Sequence, residues 1–378
     1  MSGRIGKLLK HLRTGTIGDA LKHKFGRMPQ HEEVHWHGAD SVDEAASALA
    51  RSGQLALQKR GADGWIAVAG TAALAAATAS QLVKLGVRHR MLSKSVLLVL
   101  PTQEIANLRM ILCGDQSAAD ITALGAALLK HAALSRVPFE YSAGLEPERA
   151  VFQRLDEYRD TYFVSPLLSD GVPVYSIYEE SLKHFEQKCG LRDYLDLCQL
   201  LRQLHVQDVP GAICEFGSFR GHSGWLIANV LKALGSDKEL YLFDTFDKFP
   251  QEPYGVDEFW SQTHSVDFGE VRGKFSGLDK VRFVRGDFTQ TLTTDGPTQI
   301  ALAYVDCDSY RATRALIEQI WNARLPRGGL MVFEDYGHPA LLGNRLAVNE
   351  SLRAKPMGFQ FFSQFSGLYV ALKTSGSV

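Results

Sequence analysis

The chain has 378 residues, 45% of them hydrophobic, with 41 basic side chains against 42 acidic ones and a formal net charge of −1. That length exceeds the usual single domain and supplies apolar sequence for more than one core, so two domains are expected. The absence of a basic excess argues against a nucleic-acid partner or a polyanionic substrate.

Residues 1–40 form a basic N-terminal segment. Arg4, Lys7, Lys10, Arg13, Lys22, Lys24 and Arg27 face a single acid, Asp19, within the first 30 residues. Ile5, Leu8, Leu9 and Leu12 recur at helical spacing, which reads as a basic amphipathic helix. Such a helix can touch an anionic membrane surface or a partner protein through residues 1–30, or it can be an ordinary terminal helix, the commoner outcome. Basic residues interrupt its apolar positions, so the apolar core of a secretory signal is missing. The five cysteines, Cys113, Cys189, Cys198, Cys214 and Cys307, are odd in number and form no CxxC. They fit neither a disulfide framework nor a zinc site, and with the missing signal they place the chain in the cytoplasm.

Residues 41–140 read as a small α/β accessory domain. Trp65 to Val83 carries no charge over 19 residues, long enough for a membrane span. It is mostly Ala, Thr, Gly and Ser, which gain little in hydrocarbon, so a buried strand (WIAVAG) and helix ending near Gly86 are expected. A second strand is expected at Ser95–Leu100 (SVLLVL), and a helix between Ala118 and Ala133. GTAALA after the first strand stands where a dinucleotide-binding GxGxxG would begin, but only Gly70 is present. A structural or substrate-positioning role is the expectation. Residues 141–207 read as a helical connector, with a charged run from Glu146 to Tyr158 and helical signals from Tyr178 to Leu204. Val209-Pro210-Gly211 is a turn, and residues 208–378 form the last domain.

That domain carries the chemistry. In AICEFGSFRGHSG (212–224) a short apolar strand ends in Glu215, and Gly217 and Gly221 lead into a helix. Glycines there let a ligand lie against backbone and helix-terminal amides, though a structural strand-to-helix turn has the same look. The P-loop Lys-Ser/Thr pair and the GxGxxG spacing are both missing. One βα unit later, Asp244 ends the strand of ELYLFDTFDKFP (239–250), where an acid can accept from both ribose hydroxyls or cap a helix. VRFVRGDF (281–288) ends in Asp287, placed to meet an adenine amine. ALAYVDCDSYRATRALIEQIW (301–321) and GGLMVFEDYGHP (328–339) each end an apolar strand in paired acids, Asp306 with Asp308 and Glu334 with Asp335. Acids so gathered at one sheet edge repel unless a cation neutralises them, which points to a hard divalent metal; solvated loop acids are the alternative.

Taken in series, VPGAICEFGSFRGHSG, FDTFDKFP, GDFTQTL, VDCDSYRATRALIEQIW, RGGLMVFEDYG and GNRLAVNE resemble the macrocin O-methyltransferase family, the sugar O-methyltransferases of macrolide and aminocoumarin pathways. The resemblance covers the C-terminal half. It implies a Rossmann-like class I methyltransferase fold, a mostly parallel seven-stranded sheet with helices on both faces, preceded here by the smaller α/β domain. It implies S-adenosylmethionine and magnesium as cofactors. Glu215 and Gly217 would flank the cofactor's methionine end, with Phe216, Ser218, Gly221 and Ser223 in the same loop and Asp306 close by. Asp244 with Thr245 would hold the ribose, and Asp287 with Phe288 would line the adenine. Asp306, Glu334 and Asp335 would bind magnesium, Glu334 standing where the family has Asp, and Asp308 would be the general base.

The implied reaction is in-line methyl transfer to an oxygen, for which alignment is the protein's main task. Asp308 has a second reading as a metal ligand, and His338 is a second candidate base; His222, in the cofactor loop, reads as structural in the commoner case. The aromatics Phe249, Tyr254, Phe259, Trp260 and Phe268 read equally as a lid or as core. A sugar hydroxyl in a glycoside, nucleotide sugar or polysaccharide is the leading acceptor and a homo-oligomer the expected assembly. A catechol-type O-methyltransferase and a non-catalytic partner-binding module are the competing readings.

Overall fold

The computed structural model describes residues 41–70, 72–115, 118–142, 151, 155, 171–253, 257–338, 341–352 and 358–374. The basic segment 1–40, and the charged run 146–158 apart from Val151 and Leu155, lie outside them. The chain divides into two compact units, residues 1–150 and 151–378.

In the first unit, α1 (Val42–Arg60), β1 (Trp65–Ala69), α2 (Ala73–Lys84), β2 (His89–Leu92), α3 (Lys94–Leu97), α4 (Thr102–Ala106), β3 (Leu108–Cys113), α5 (Ala118–Lys130) and β4 (Phe139–Tyr141) follow in order. The strands form a parallel sheet in the order β2-β1-β3-β4. β1 is buried throughout because alternate residues serve opposite faces. Ile66 and Val68 pack with Leu49 of α1 and Leu74 of α2, while Trp65, Ala67 and Ala69 pack with Ile121 and Leu124 of α5. The uncharged stretch from Trp65 is therefore a strand and a helix, and among the described residues no helix is long and apolar enough to cross a membrane.

The strand expected at Ser95–Leu100 is not there. Ser93 accepts from the Val96 amide at 3.3 Å and caps the short helix α3, as Ser does where a chain enters a helical turn. The strand is β2, whose partly exposed His89, Arg90 and Met91 suit a sheet edge that needs no continuous apolar run.

The second unit contains α6 (Val174–His184), α7 (Leu191–Val206), β5 (Ala212–Phe216), α8 (His222–Ala233), β6 (Leu240–Asp244), α9 (Phe268–Gly273), β7 (Val281–Arg285), α10 (Phe288–Asp295), β8 (Ile300–Val305), α11 (Tyr310–Ile320), β9 (Leu330–Phe333), α12 (Leu342–Ser351), β10 (Gly358–Phe362) and β11 (Tyr369–Lys373). Its sheet runs β10-β11-β9-β8-β5-β6-β7, with β11 antiparallel to both neighbours and the other pairs parallel. Leu197, Leu226 and Tyr304 belong to the core on one face, and Leu292, Leu316 and Val348 to the core on the other. Burial on both faces is why β8 reads as an unbroken apolar run, IALAYV. All five cysteines are free and buried. Strand order reverses between β5 and β8, and that switch point opens a crevice at the strands' carboxyl ends.

Candidate active site

The loop after β5 is shaped by close approach. A Cβ on Gly217, at φ +99, would fall 1.6 Å from the carbonyl oxygen of Asp306, so only glycine lets the ends of β5 and β8 pass this closely. Phe219 at φ +44 and Gly221 at φ +85 then turn the chain into α8. Glu215 is fully buried, and neither of its carboxylate oxygens has a well-formed hydrogen bond. Burial pushes its carboxyl up to about 7, against the lowering influence of Ser223 and Ser218.

Two loops meet on Asp244. Its Oδ2 accepts from the Phe219 amide at 2.8 Å and its Oδ1 from the Phe246 amide at 2.7 Å. The carboxylate thus fixes the glycine loop and the loop after β6 while still facing the cavity. Asp287 caps α10, its Oδ1 accepting from the amide and hydroxyl of Thr289 at 3.0 and 2.6 Å. Its Oδ2 faces Arg311 Nη1 at 3.3 Å.

The strand-end acids converge. One carboxylate oxygen from each of Asp306, Glu334 and Asp335 lies within 4.8 Å of the others. Asp335 Oδ2 accepts from the Asp308 amide at 3.0 Å and from Asn344 Nδ2 at 3.4 Å. Burial, with the neighbouring acids Glu334 and Asp308, holds the Asp306 carboxyl well above the usual range, and burial with Asp308 and Asp306 does the same for Asp335. Asp308, at φ +51, is pushed up to about 6 by burial and Glu334. An oxygen-only donor set this compact fits a hard divalent cation, which would relieve the repulsion that raises these groups.

A cavity of about 460 Å³ collects Gly217, Ser218, Ser223, Asp244, Thr245, Asp287, Phe288, Asp306, Asp308, Glu334, Asp335 and His338. Glu215, Phe216 and Gly221 do not line it; the buried Glu215 and Phe216 lie behind the loop. His222 faces the cavity but is committed elsewhere. Its Nδ1 accepts from the amides of Lys188 and Cys189 at 3.0 and 3.1 Å, and its Nε2 meets Ser181 Oγ at 2.9 Å. Ser181 Oγ donates to the Tyr178 carbonyl at 2.7 Å, so Nε2–H donates to Ser181 and the ring is neutral. Burial lowers it to about 4. It is a tie between α6, α8 and the loop joining α6 to α7.

The aromatic segment after β6 divides between its two readings. Phe249 and Trp260 line the cavity, while Phe246 and Phe268 pack on Phe283 with ring centroids 5.7 Å away in each case. Tyr254 and the Phe259 side chain lie outside the described residues. Sequence reasoning missed Lys188, Phe219, Glu252, His264 and Arg311 among the cavity's walls. Phe219 and Arg311 sit inside the motifs at 212–224 and 301–321, which was the signal available for them; Lys188, Glu252 and His264 carry no local signature.

A parallel sheet with one reversed strand, a glycine loop at the switch point and an acid at the end of the next strand define a class I methyltransferase domain. The family model described as macrocin O-methyltransferase (TylF) matches residues 188–355. Mycinamicin III 3''-O-methyltransferase of Micromonospora griseorubida is 32% identical over 211 residues, which are 51% of this chain and 82% of that protein. The 8-demethyl-8-(2,3-dimethoxy-alpha-L-rhamnosyl)-tetracenomycin-C 4'-O-methyltransferase of Streptomyces olivaceus is 30% identical over 160 residues, 39% of this chain and 61% of that protein. Demethyldecarbamoylnovobiocin O-methyltransferase of Streptomyces niveus is 26% identical over 160 residues, with the same shares of 39% and 61%. The chain thus spans somewhat under two thirds of two of these relatives and most of the third. It belongs to the macrocin O-methyltransferase family.

Proposed function

We propose that this protein transfers a methyl group from S-adenosylmethionine to a hydroxyl of a sugar, with magnesium held by Asp306, Glu334 and Asp335. The observation that carries this reading is the meeting of those three carboxylates within 4.8 Å on the wall of the cavity that also contains Gly217 and Asp244. The rhamnosyl group in the name of the Streptomyces olivaceus relative supports a sugar as acceptor.

When bound, S-adenosylmethionine supplies an electrophilic methyl on a sulfonium. When bound, magnesium supplies a Lewis acid that lowers the pKa of a ligated hydroxyl. Gly217 and the turn through Gly221 leave backbone open to the cofactor's methionine end, Asp244 offers its remaining lone pairs to the ribose, and Asp287 with Phe288 borders the adenine. Asp308 faces the acceptor and takes its proton, a role suited to a carboxyl raised to about 6. Phe249 and Trp260 exclude water from the reacting oxygen.

The test is transfer of labelled methyl to a panel of glycosides, nucleotide sugars and catechols. Turnover of sugars is expected. Turnover confined to catechols would replace the sugar with a vicinal phenol, and failure to bind cofactor by calorimetry, with and without magnesium, would leave a partner-binding module.

A further inference from the structure

Glu252 is a buried acid that the reaction above does not use. The residue is 3% exposed, lines the cavity, and has no well-formed hydrogen bond to either carboxylate oxygen; burial raises its carboxyl, and Arg311 and Ser309 only partly oppose that. Its nearest cation is Arg311 Nη2 at 3.5 Å, beyond a good charge-assisted hydrogen bond, and Arg311 Nε has no hydrogen-bond partner either. A buried carboxylate left with so weak a partner is costly to the fold. Groups so placed in a cavity wall are commonly completed by a ligand.

The position is built. The Glu252 amide donates to Ser261 Oγ at 2.9 Å, which fixes the backbone. Asp257, on the same segment and 1% exposed, accepts from the Tyr310 amide at 2.6 Å and anchors the segment to the start of α11. Glu252 thus shares the cavity wall with Ser309 and Arg311 at the start of α11. Asp287, by contrast, already has one oxygen on Thr289 and the other on Arg311.

We propose that Glu252, with Arg311 beside it, reads hydroxyls of the acceptor other than the one that is methylated. The carboxylate accepts from one or two sugar O–H groups and the guanidinium donates to a sugar oxygen. The proposal rests on the sugar-methyltransferase reading and adds to it a specificity-determining site. A carboxylate paired with an arginine suits a polyol, which offers several donors and acceptors on adjacent carbons, better than a flat phenol.

The experiment is a titration of the full chain, with S-adenosylhomocysteine and magnesium present, using methyl α-L-rhamnopyranoside and methyl β-D-glucopyranoside, followed by saturation-transfer NMR. Wild type is expected to bind at least one glycoside. Glu252→Gln should weaken that glycoside about 10- to 100-fold, the loss of buried charge-assisted bonds, with S-adenosylhomocysteine affinity within about twofold. Unliganded Glu252→Gln should also melt higher than wild type, because a buried carboxylate that Arg311 compensates poorly at 3.5 Å has been removed. Unchanged glycoside affinity, no glycoside binding by wild type, or a variant that loses S-adenosylhomocysteine instead would each overturn the proposal. A lower melting temperature would also overturn it, since it would make Glu252 a structural partner of Arg311. Glycosides that bind through Glu252 while no sugar is methylated would keep Glu252 as a sugar-binding residue and remove the transfer reading on which its role toward an acceptor rests.

Discussion

The backbone amide of Asp308 donates to Oδ2 of Asp335 across 3.0 Å. This bond joins the loops after β8 and β9 and holds Asp308 at φ +51, a left-handed conformation that costs a non-glycine residue about 1 kcal/mol or more. Strain of that kind persists where the surroundings over-determine it, and here it fixes a carboxylate against the acidic cluster.

Asp308→Asn keeps a residue that tolerates the left-handed region, so the fold should survive. Turnover should fall by about 10²- to 10⁴-fold while S-adenosylhomocysteine affinity stays within about twofold. Steady-state kinetics with calorimetry checks both. An unchanged turnover would move the base elsewhere, with His338 the next residue to replace.

Asp306→Asn removes one of three mutually repelling carboxylates. The unliganded variant should therefore melt higher than wild type, and added magnesium should raise the melting temperature of wild type but not of the variant. Equal magnesium stabilisation of both proteins would show that the cluster is not the metal site.

Gly217→Ala and Gly235→Ala separate close approach from backbone conformation. Both glycines have positive φ, but a Cβ at Gly217 would lie 1.6 Å from a carbonyl oxygen whereas nothing lies within 4 Å of one at Gly235. Gly235→Ala should cost about 1 kcal/mol in urea unfolding. Gly217→Ala should cost several times that amount or give no soluble protein; similar losses at both sites would refute the close approach.

His222 sets a pH window. Its folded pKa of about 4 lies below the ordinary 6.5, so between those values the unfolded chain binds the extra proton. Its contribution to stability is then lost as pH falls, by up to about 1.4 kcal/mol per unit. Glu215, raised to about 7, acts in the opposite sense between its ordinary 4.5 and 7, because there the folded state binds more protons. The difference between wild type and His222→Asn isolates the histidine: the stability gap between them should narrow from pH 7 to pH 5. A constant gap would mean that the ring is charged in the fold or not buried.

Much of this site was legible in the chain because its parts are local. Each of β5, β6, β8 and β9 announces itself as a short apolar run, and the acids and glycines that matter stand at its end. What was not legible depends on partners remote in sequence. Glu252 meets Arg311, and His222 meets Ser181, only after the sheet has brought α6, α8 and α11 to their places. β2 was missed because an edge strand is partly exposed and reads as polar. Ser95–Leu100 misled because an apolar run need not be buried throughout: Leu97 and Leu100 are buried, while Val96 and Val99 are exposed on and just after a capped helical turn. The aromatics after β6 could not be sorted, since Phe249 faces the cavity and Phe268 packs on Phe283 with no apolar periodicity around either to tell the two apart.

The most direct test of the central claim is the rate of methyl transfer from S-adenosylmethionine to a glycoside as magnesium is restored to chelator-treated protein, for wild type and Asp306→Ala. Wild type should be silent in chelator and recover in proportion to metal occupancy, while the variant should stay silent throughout. Undiminished transfer by chelated wild type would contradict the metal-dependent account.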